Sequence, residues 1–355
     1  MGSQDLISKH LRKRSPLSEL LSPLGSLYGL IQSQRRKRLS PKAWRAPCRV
    51  ISVGNLTAGG SGKTPLCIHL VGVLNGLGLR VGVSHRGYRG SLENTPTLVS
   101  DGHRMLHNVN EAGDEAWLIS QRLPGIPVVV GKQRVAAVSL LLAEFPDLDV
   151  VILDDAFQHL GIARDLDIVC IGADTGCGNG RVLPAGYLRE PLSALEAASL
   201  LVVTHKSANS GATAENGCWA SFHLPLIHCR LQARDGVTAE GKAVDLDLLK
   251  GDKLLLISGV ADPDSVEETM RALGLSWLHH FRHADHYAFA NTSEIRQMAF
   301  LAQKYEAQAL LCTEKDLAKL ARHAELRDKL LALRMDLVCE DEDDLMGLLR
   351  QELCL

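Results

Sequence analysis

A glycine-rich loop between a predicted strand and a predicted helix is the feature that most constrains how this chain can fold. Residues 49–53 form an apolar run typical of a short buried strand, and an apolar periodic stretch begins at Leu66. The loop between them contains Gly54, Gly59, Gly60 and Gly62 and ends in Lys63-Thr64-Pro65. In this order of elements, backbone N–H groups and a helix N-terminus converge on phosphate oxygens. The loop therefore predicts a nucleotide phosphate site.

Individual residues of the loop have separate predicted roles. Lys63 is expected to reach the β- and γ-phosphates, and the Thr64 hydroxyl is expected to ligate Mg²⁺. The strict pattern G-x4-G-K-[ST] has glycine where this chain has Thr57, and the alternative to a nucleotide site is a plain glycine turn. We predict that the nucleotide is bound by Thr57, Ala58, Gly59, Gly60, Ser61, Gly62, Lys63 and Thr64.

A second apolar run ends in two adjacent carboxylates. Residues 150–153 are apolar, and Asp154 and Asp155 follow directly. In phosphate-loop proteins a carboxylate after such a strand holds the metal shell, so both are predicted Mg²⁺ ligands. The alternative is that Asp154 only caps the next helix. Gln158 and His159, which follow closely, are candidates to support Asp155 or the γ-phosphate.

Strand-like runs alternate with helical stretches along most of the chain. This alternation predicts an α/β fold with a mostly parallel, P-loop NTPase-like sheet and helices on both faces. A second, smaller α/β unit is predicted to follow the polar stretch at residues 207–217. The runs of the first unit are residues 80–83, 128–130, 150–153, 168–171 and 200–203, and those of the second are residues 254–257 and 310–313.

The head of the chain is strongly basic. Residues 1–50 contain eleven Lys or Arg against two acidic residues, which is a net +9 in a chain of net charge −2. From Leu17 to Ile31 apolar residues recur at helical spacing, with Pro16 suited to a helix start and Pro23 expected to bend or divide the helix. Two interpretations stay open. The helix lies in an anionic lipid headgroup layer, or it packs on its own domain and keeps its basic end in water.

Composition excludes several classes of protein. The 46% of hydrophobic and 23% of charged residues are those of an ordinary globular protein, and 355 residues favour two domains over one. The aromatic content of 4% argues against a stacking platform for nucleic acid, and no obligate protein partner is indicated. Nine cysteines without a Cys-x-x-Cys pair predict neither a disulfide framework nor a zinc knuckle, and they favour a reducing compartment.

Nucleotide switches share the loop and have to be weighed against enzymes. A guanine reader needs an [NT]-K-x-D run. Residues 204–207 lack its Asp, and in residues 313–316 the Lys comes one place late. Partitioning-type ATPases carry a signature Lys where this chain has Ala58. Both kinds of switch are therefore disfavoured.

Besides the loop, short motifs follow one another in order over residues 52–319. They are Ser52-Val53-Gly54-Asn55, Arg86-Gly87-Tyr88, Gly113-Asp114-Glu115, Arg134, Asp154-Asp155-Ala156-Phe157-Gln158-His159, Leu183-Pro184-Ala185-Gly186, Arg189-Glu190-Pro191, Ala284-Asp285-His286 and Thr313-Glu314-Lys315-Asp316. In this order they resemble the tetraacyldisaccharide 4′-kinase family of lipid A biosynthesis. The resemblance implies an ATP- and Mg²⁺-dependent kinase that phosphorylates the 4′-hydroxyl of a tetraacyl-glucosamine disaccharide 1-phosphate. A switch or metallochaperone-type NTPase and an inactive nucleotide-binding membrane scaffold remain as alternatives.

The resemblance also implies roles for residues outside the loop. Asp114 and His286 match an Asp–His pair that deprotonates the sugar hydroxyl. The simpler interpretations are that Asp114 caps a helix and that His286 is a surface histidine. Arg134 and Arg189 are candidates to bind phosphate groups, with surface ion pairs as the alternative. Glu190 would join the metal shell or the base network.

The same resemblance implies an organisation of the chain. Residues 1–45 would form a basic amphipathic helix on the membrane surface, residues 46–225 the P-loop kinase domain, and residues 226–355 a smaller α/β domain that closes the cleft. The lipid substrate and an anionic membrane surface are the implied partners. The implied location is the cytoplasmic face of a bacterial inner membrane or a mitochondrion. The family pattern has glycine at Arg89 and Ala156 and proline at Tyr187, which puts the shape of these loops in doubt.

Overall fold

In the computed structural model of the chain, residues 13–205 and 217–354 are described. The basic residues Lys9 and Arg12, and all but the last residue of the predicted polar loop at 207–217, lie outside them. Within the described residues the strands are β1 (Arg49–Asn55), β2 (Val81–His85), β3 (Thr97–Asp101), β4 (Pro127–Val130), β5 (Val150–Asp154), β6 (Leu166–Gly172), β7 (Leu200–His205), β8 (Leu226–Thr238), β9 (Ala243–Val244), β10 (Leu254–Ser258), β11 (His279–Arg282), β12 (Ala309–Thr313) and β13 (Leu330–Cys339).

Helices connect most of these strands, as the alternating pattern predicts. The described α-helices are α1 (Pro16–Leu39), α2 (Lys63–Gly76), α3 (Val109–Ala112), α4 (Asp114–Arg122), α5 (Arg134–Glu144), α6 (Pro263–Ala272), α7 (Thr292–Lys304), α8 (Glu314–Leu320), α9 (Ala324–Arg327) and α10 (Glu342–Leu353).

The described strands form one mixed, largely parallel sheet in the order β11-β10-β12-β13-β8-β7-β6-β1-β5-β2-β4-β3, with β9 against β8. Strand β1 lies between β5 and β6 and is parallel to both. Val53 is in register with Asp154, and Ser84 with Leu153. Because the carboxyl ends of parallel strands share one edge, the residues after β1, β2 and β5 meet there.

Strand β8 links the two halves of the sheet. Its first residues pair in parallel with β7, and most of its length pairs antiparallel with β13. The predicted boundary after residue 225 therefore falls at the start of a strand that hydrogen-bonds on both sides. Each half nevertheless has its own buried apolar cluster, one around β1 and α2 and another around β10, β12 and α7. The division into two domains stays a prediction.

Helix α1 packs on the rest of the chain through its small residues. Ser18, Gly25 and Gly29 are buried, and the Ser18 hydroxyl donates to the Ala185 carbonyl at 2.7 Å. A Cβ atom on Gly25 would lie 2.8 Å from the Val182 carbonyl oxygen, so this close approach requires glycine. The prediction was that Pro23 would bend or divide the helix; the helix runs through Pro23 without interruption, so Pro23 does not divide it. No described helix is long and apolar enough to span a bilayer.

The apolar stripe of α1 points away from the protein. The stripe that the sequence pattern identified is thus not the packing face, because the glycines and Ser18 take that role. The large side chains on this face are 38–75% exposed: Leu17, Leu20, Leu24, Leu27, Tyr28, Leu30 and Ile31. Leu21, another member of the predicted stripe, is half-buried.

One disulfide joins Cys177 to Cys218, whose Cα atoms are 6.3 Å apart, and the other seven cysteines are free. The sequence did not predict this pair. Its residues are 41 positions apart, and Cys177 shares an apolar cluster with Trp219, the residue after Cys218.

Candidate active site

The glycine loop is held in place by residues on both of its sides. The Asn55 amide donates to the Thr57 carbonyl at 2.8 Å, and the Ala58 N–H donates to the Tyr187 carbonyl at 2.9 Å. Gly62, the residue before α2, has φ +79°, and a Cβ there would lie 2.8 Å from the Thr204 side chain. This backbone strongly favours glycine, and it directs the N-terminus of α2 at the loop.

The two carboxylates after β5 face the end of this loop. The Thr64 hydroxyl lies 3.3 Å from Oδ2 of the fully buried Asp154. Asp155, at φ +48°, contacts Lys63 at 3.7 Å and Arg189 at 3.1 Å. Burial raises the pKa of Asp154. Burial alone would also raise the pKa of Asp155, but the Lys63 and Arg189 charges bring it below its ordinary value. Carboxylate and hydroxyl oxygens are the donor set that Mg²⁺ prefers.

The fold brings the predicted Asp–His pair together. Asp114 opens α4 behind Gly113, and Nδ1 of His286 lies 3.1 Å from its Oδ2. Nζ of Lys319 lies 2.9 Å from the same oxygen. Burial alone would raise the pKa of Asp114. The His286 hydrogen bond and the Lys319 charge outweigh burial and lower this pKa below its ordinary value. His286 has φ +58°, which is uncommon for any residue but glycine and is typical of functional sites.

A second charged group adjoins this pair and was missed by the sequence reasoning. Nε2 of His85 lies 3.1 Å from Glu115, and Nζ of Lys315 lies 2.6 Å from the same side chain. The Lys315 charge holds the pKa of Glu115 well below its usual range, with His85 adding to it. Glu115 and Lys315 belong to two of the family motifs, and His85 directly precedes the Arg86-Gly87-Tyr88 motif. Their position in or beside these motifs is the sequence feature that could have identified them.

Two predicted site residues have contacts other than those expected. Arg134 is buried, donates to Ser84 and to the Asp154 backbone carbonyl, and has its pKa lowered to about 10 by burial. It thus lies beneath the two carboxylates that follow β5. Glu190 is 1% exposed and pairs with Arg36 of α1 at 2.7 Å. The structure therefore connects Glu190 to the N-terminal helix.

Gln158 and His159 flank the loop from the side of β5. The Gln158 amide donates to the Asn55 carbonyl at 2.7 Å, which ties the carboxylate segment to the end of β1. Burial, reinforced by Arg134 and Arg164, lowers the pKa of His159 to about 4, so its imidazole is neutral at pH 7.

The structure shows the contacts of Arg89 and Tyr187, two residues that depart from the family pattern. Arg89 has φ +61°, the left-handed region that favours glycine, and its guanidinium donates to the Asp285 carbonyl at 3.3 Å. The exchange therefore adds a contact beside His286. Tyr187 serves the glycine loop through its backbone carbonyl, which any residue can supply.

A glycine loop before a helix, paired carboxylates at the carboxyl edge of a parallel sheet and an adjacent Asp–His pair define a P-loop NTPase-like α/β protein equipped for phosphoryl transfer. The family model for tetraacyldisaccharide-1-P 4′-kinase (LpxK) matches residues 17–354. The chain belongs to this family and is a kinase of lipid A biosynthesis with a lipid disaccharide 1-phosphate as substrate. The predicted activity is thereby confirmed.

Two related kinases and one solved structure are similar to this chain over 83–96% of its length. The tetraacyldisaccharide 4′-kinase of Pelobacter propionicus is 37% identical over 351 residues, covering 96% of this chain and 94% of its own. That of Desulfatibacillum aliphaticivorans is 36% identical over 302 residues, covering 83% and 81%. The crystal structure of LpxK from Aquifex aeolicus, an "apo" form in complex with ATP, matches with a TM-score of 0.78 and 29% identity over 95% of this chain and 99% of that one.

Proposed function

We propose that the chain performs its family's reaction with ATP at the glycine loop, Mg²⁺ at the β5 carboxylates and Asp114 as proton acceptor. The observation that carries this proposal is the convergence of His286 and Lys319 on Oδ2 of Asp114. The ATP of the related Aquifex aeolicus structure supports the choice of phosphoryl donor.

The nucleotide end of the site depends on residues 57–64. Their backbone N–H groups cradle phosphate oxygens, and Lys63 and Arg189, held beside the loop by Asp155, supply charge to the γ-phosphate. Thr64, Asp154 and Asp155 would hold Mg²⁺, which neutralises charge on the β- and γ-phosphate oxygens. Arg134 positions Asp154 from beneath through its backbone carbonyl.

Asp114 acts at the acceptor end. A sugar hydroxyl attacks poorly at neutral pH unless a positioned group accepts its proton, and such help typically contributes about 10²- to 10⁴-fold. The lowered pKa keeps Asp114 ionised and able to accept. His286 and Lys319 both contact Oδ2, so Oδ1 is the oxygen that receives the proton while His286 holds the carboxylate in place.

The remaining proposals concern the surroundings of this site. Residues 226–355, which supply His286 and Lys319, act as a smaller α/β domain that closes over the acceptor. The exposed stripe of α1 and the exposed Lys37 and Arg38 of its basic last turn support a peripheral position on an anionic membrane surface. That surface is the cytoplasmic face of a bacterial inner membrane or belongs to a mitochondrion.

Transfer of label from γ-labelled ATP to tetraacyl disaccharide 1-phosphate tests the proposal, with the labelled position on the sugar then mapped. Wild-type chain with Mg²⁺ should label the 4′-oxygen, and Lys63→Met should abolish transfer. The exposed Lys250→Met is the control and should keep full activity. Release of free phosphate without labelled lipid would contradict the proposal.

A further inference from the structure

Three side chains that can ligate a metal meet on the protein away from the phosphate site. His69 lies in α2, Cys339 ends β13 and Glu342 opens α10. Their ligand atoms all lie within 4.8 Å of one another. None of these residues belongs to the motifs of the kinase site, so the cluster has no part in the chemistry above.

The contacts converge on a single ring nitrogen. Nε2 of His69 lies 3.1 Å from Oε2 of Glu342 and 3.6 Å from Sγ of Cys339. A Glu–His–Cys proton relay would use both ring nitrogens, one toward each partner. One N–H shared between two acceptors makes two weakened hydrogen bonds, whereas one cation can bind all three donor atoms directly. The arrangement is therefore one that a metal ion can occupy.

The two separations measured from Nε2 of His69 agree with tetrahedral coordination. With usual zinc bond lengths, tetrahedral geometry places a ligating nitrogen about 3.6 Å from a ligating sulfur and about 3.4 Å from a ligating oxygen. The observed 3.6 Å and 3.1 Å match these to within a few tenths of an ångström.

We propose that His69, Cys339 and Glu342 bind one divalent transition metal of the zinc class. A sulfur and an imidazole favour zinc over the Mg²⁺ of the nucleotide site, which prefers oxygen. The Glu342 side chain is 44% exposed, so solvent can reach the site and supply a fourth ligand. Cys229, the cross-strand partner of Cys339, lies with its sulfur 2.7 Å from Sγ of Cys339 and can donate its S–H to that atom.

A metal here would connect the phosphate-loop helix to the C-terminal helix. His69 stands six positions after Lys63 on α2, and Leu70 of α2 shares an apolar cluster with Leu345 and Leu349 of α10. The metal would add a link at the edge of this packing. Because such a site binds the folded chain only, metal binding stabilises that state.

Cobalt(II) titration of the full, reduced chain tests the proposal, with saturating Mg²⁺ and ATP to occupy the nucleotide site. Cobalt should give a sulfur-to-metal charge-transfer band together with the visible bands of tetrahedral coordination. Loss of an outer partner of a metal ligand weakens binding about 10–100-fold, so loss of a ligand should cost at least tenfold. Cys339→Ser should abolish the charge-transfer band, and His69→Ala should weaken cobalt binding at least tenfold.

Cys48→Ser, at a half-buried cysteine outside the cluster, is the matched control and should bind as the wild-type chain does. Zinc should raise the melting temperature of the wild-type chain and of this control but not that of Cys339→Ser, and far-ultraviolet circular dichroism establishes that each variant is folded. Absence of the charge-transfer band in the reduced wild-type chain, or its persistence in folded Cys339→Ser, would overturn the proposal.

Discussion

Nδ1 of His286 lies 3.1 Å from Oδ2 of Asp114, although 172 residues separate the two along the chain. Asp114 belongs to the half of the sheet that carries the glycine loop, and His286 follows β11 in the other half. Lys315 and Arg89 also make contacts across this division, to Glu115 and to the Asp285 carbonyl. The proposed proton acceptor is therefore assembled only when both halves are folded against each other.

Replacement of Asp114 by Asn tests the proton acceptor. Asn keeps the shape of the side chain but removes the charge that accepts a proton, so kcat should fall about 10²- to 10⁴-fold. The KM for ATP should change little, because the contacts of the Asp114 side chain are to His286 and Lys319 and lie outside residues 57–64. Steady-state kinetics measure both constants. Asp147→Asn, at a side chain 81% exposed, is the control, and near-full activity of Asp114→Asn would exclude the assignment.

Replacement of Lys319 by Met should change the pH dependence. The Lys319 charge helps to lower the pKa of Asp114, so its loss should raise that pKa. Because Asp114 must be ionised to accept a proton, the acid limb of kcat/KM should move to higher pH. Rate measurements from about pH 3 to about pH 8 follow this limb, because the range starts below the ordinary Asp pKa of about 3.9. Lys253→Met, in an exposed ion pair, serves as control, and an unmoved limb would argue against the coupling.

Charges placed on the outer face of α1 should weaken membrane binding. Leu20 and Leu24 are 75% and 55% exposed, so a Leu20→Glu, Leu24→Glu chain should still fold. Burial of one leucine contributes about 1.5–3 kcal/mol, so the loss of two should weaken binding to anionic vesicles at least about tenfold. Vesicle co-sedimentation measures the fraction of each chain that binds. Leu248→Glu, at a leucine 73% exposed elsewhere, should bind normally. Equal binding by all three chains would refute a membrane role for the stripe.

Gly54→Ala should damage the phosphate site through packing alone. A Cβ at Gly54 would lie 2.5 Å from Cβ and 2.6 Å from the backbone N of Phe157, so β1 and the segment after Asp155 must separate. Overpacking of this kind destabilises by about 1–3 kcal/mol. Chemical denaturation gives the free energy of unfolding, and ATP binding should weaken in parallel. Gly72→Ala, where an added Cβ has no neighbour within 4 Å, should be stabilising by up to about 1 kcal/mol, and equal effects at both sites would be inconsistent with this packing.

The sequence was sufficient for those parts of the site that depend on local spacing. The glycine loop and the carboxylates after β5 were predicted because strand, loop and helix are consecutive in the chain. Partners distant in sequence were not predicted. Glu190 meets Arg36 across 154 residues, and Arg134 is buried under Asp154 because α5 packs on β4 and β2.

The same limit applies to the sheet as a whole. Eight of the thirteen described strands were predicted from apolar runs, but β3, β8, β9, β11 and β13 were not. The pairing of β8 with β13 also joins residues about a hundred positions apart. The apolar pattern of a single strand does not indicate which distant strand it pairs with. The pairing of Asp114 with His286 was available from the family resemblance, whereas Lys319 became apparent only in the folded chain.

The docking of α1 by its glycines limits how this helix can be altered. Deleting residues 13–42 would expose Val182, Ala185 and Pro191, and would remove the guanidinium of Arg36 that lies 4.4 Å above the ring of Phe157. Pro191 and Phe157 are each two positions from Arg189 and Asp155, respectively, so truncation would disturb the surroundings of the proposed nucleotide site. Substitution of the outward-facing leucines, with Ser18, Gly25, Gly29 and Arg36 retained, would change the exposed face of the helix and keep its packing.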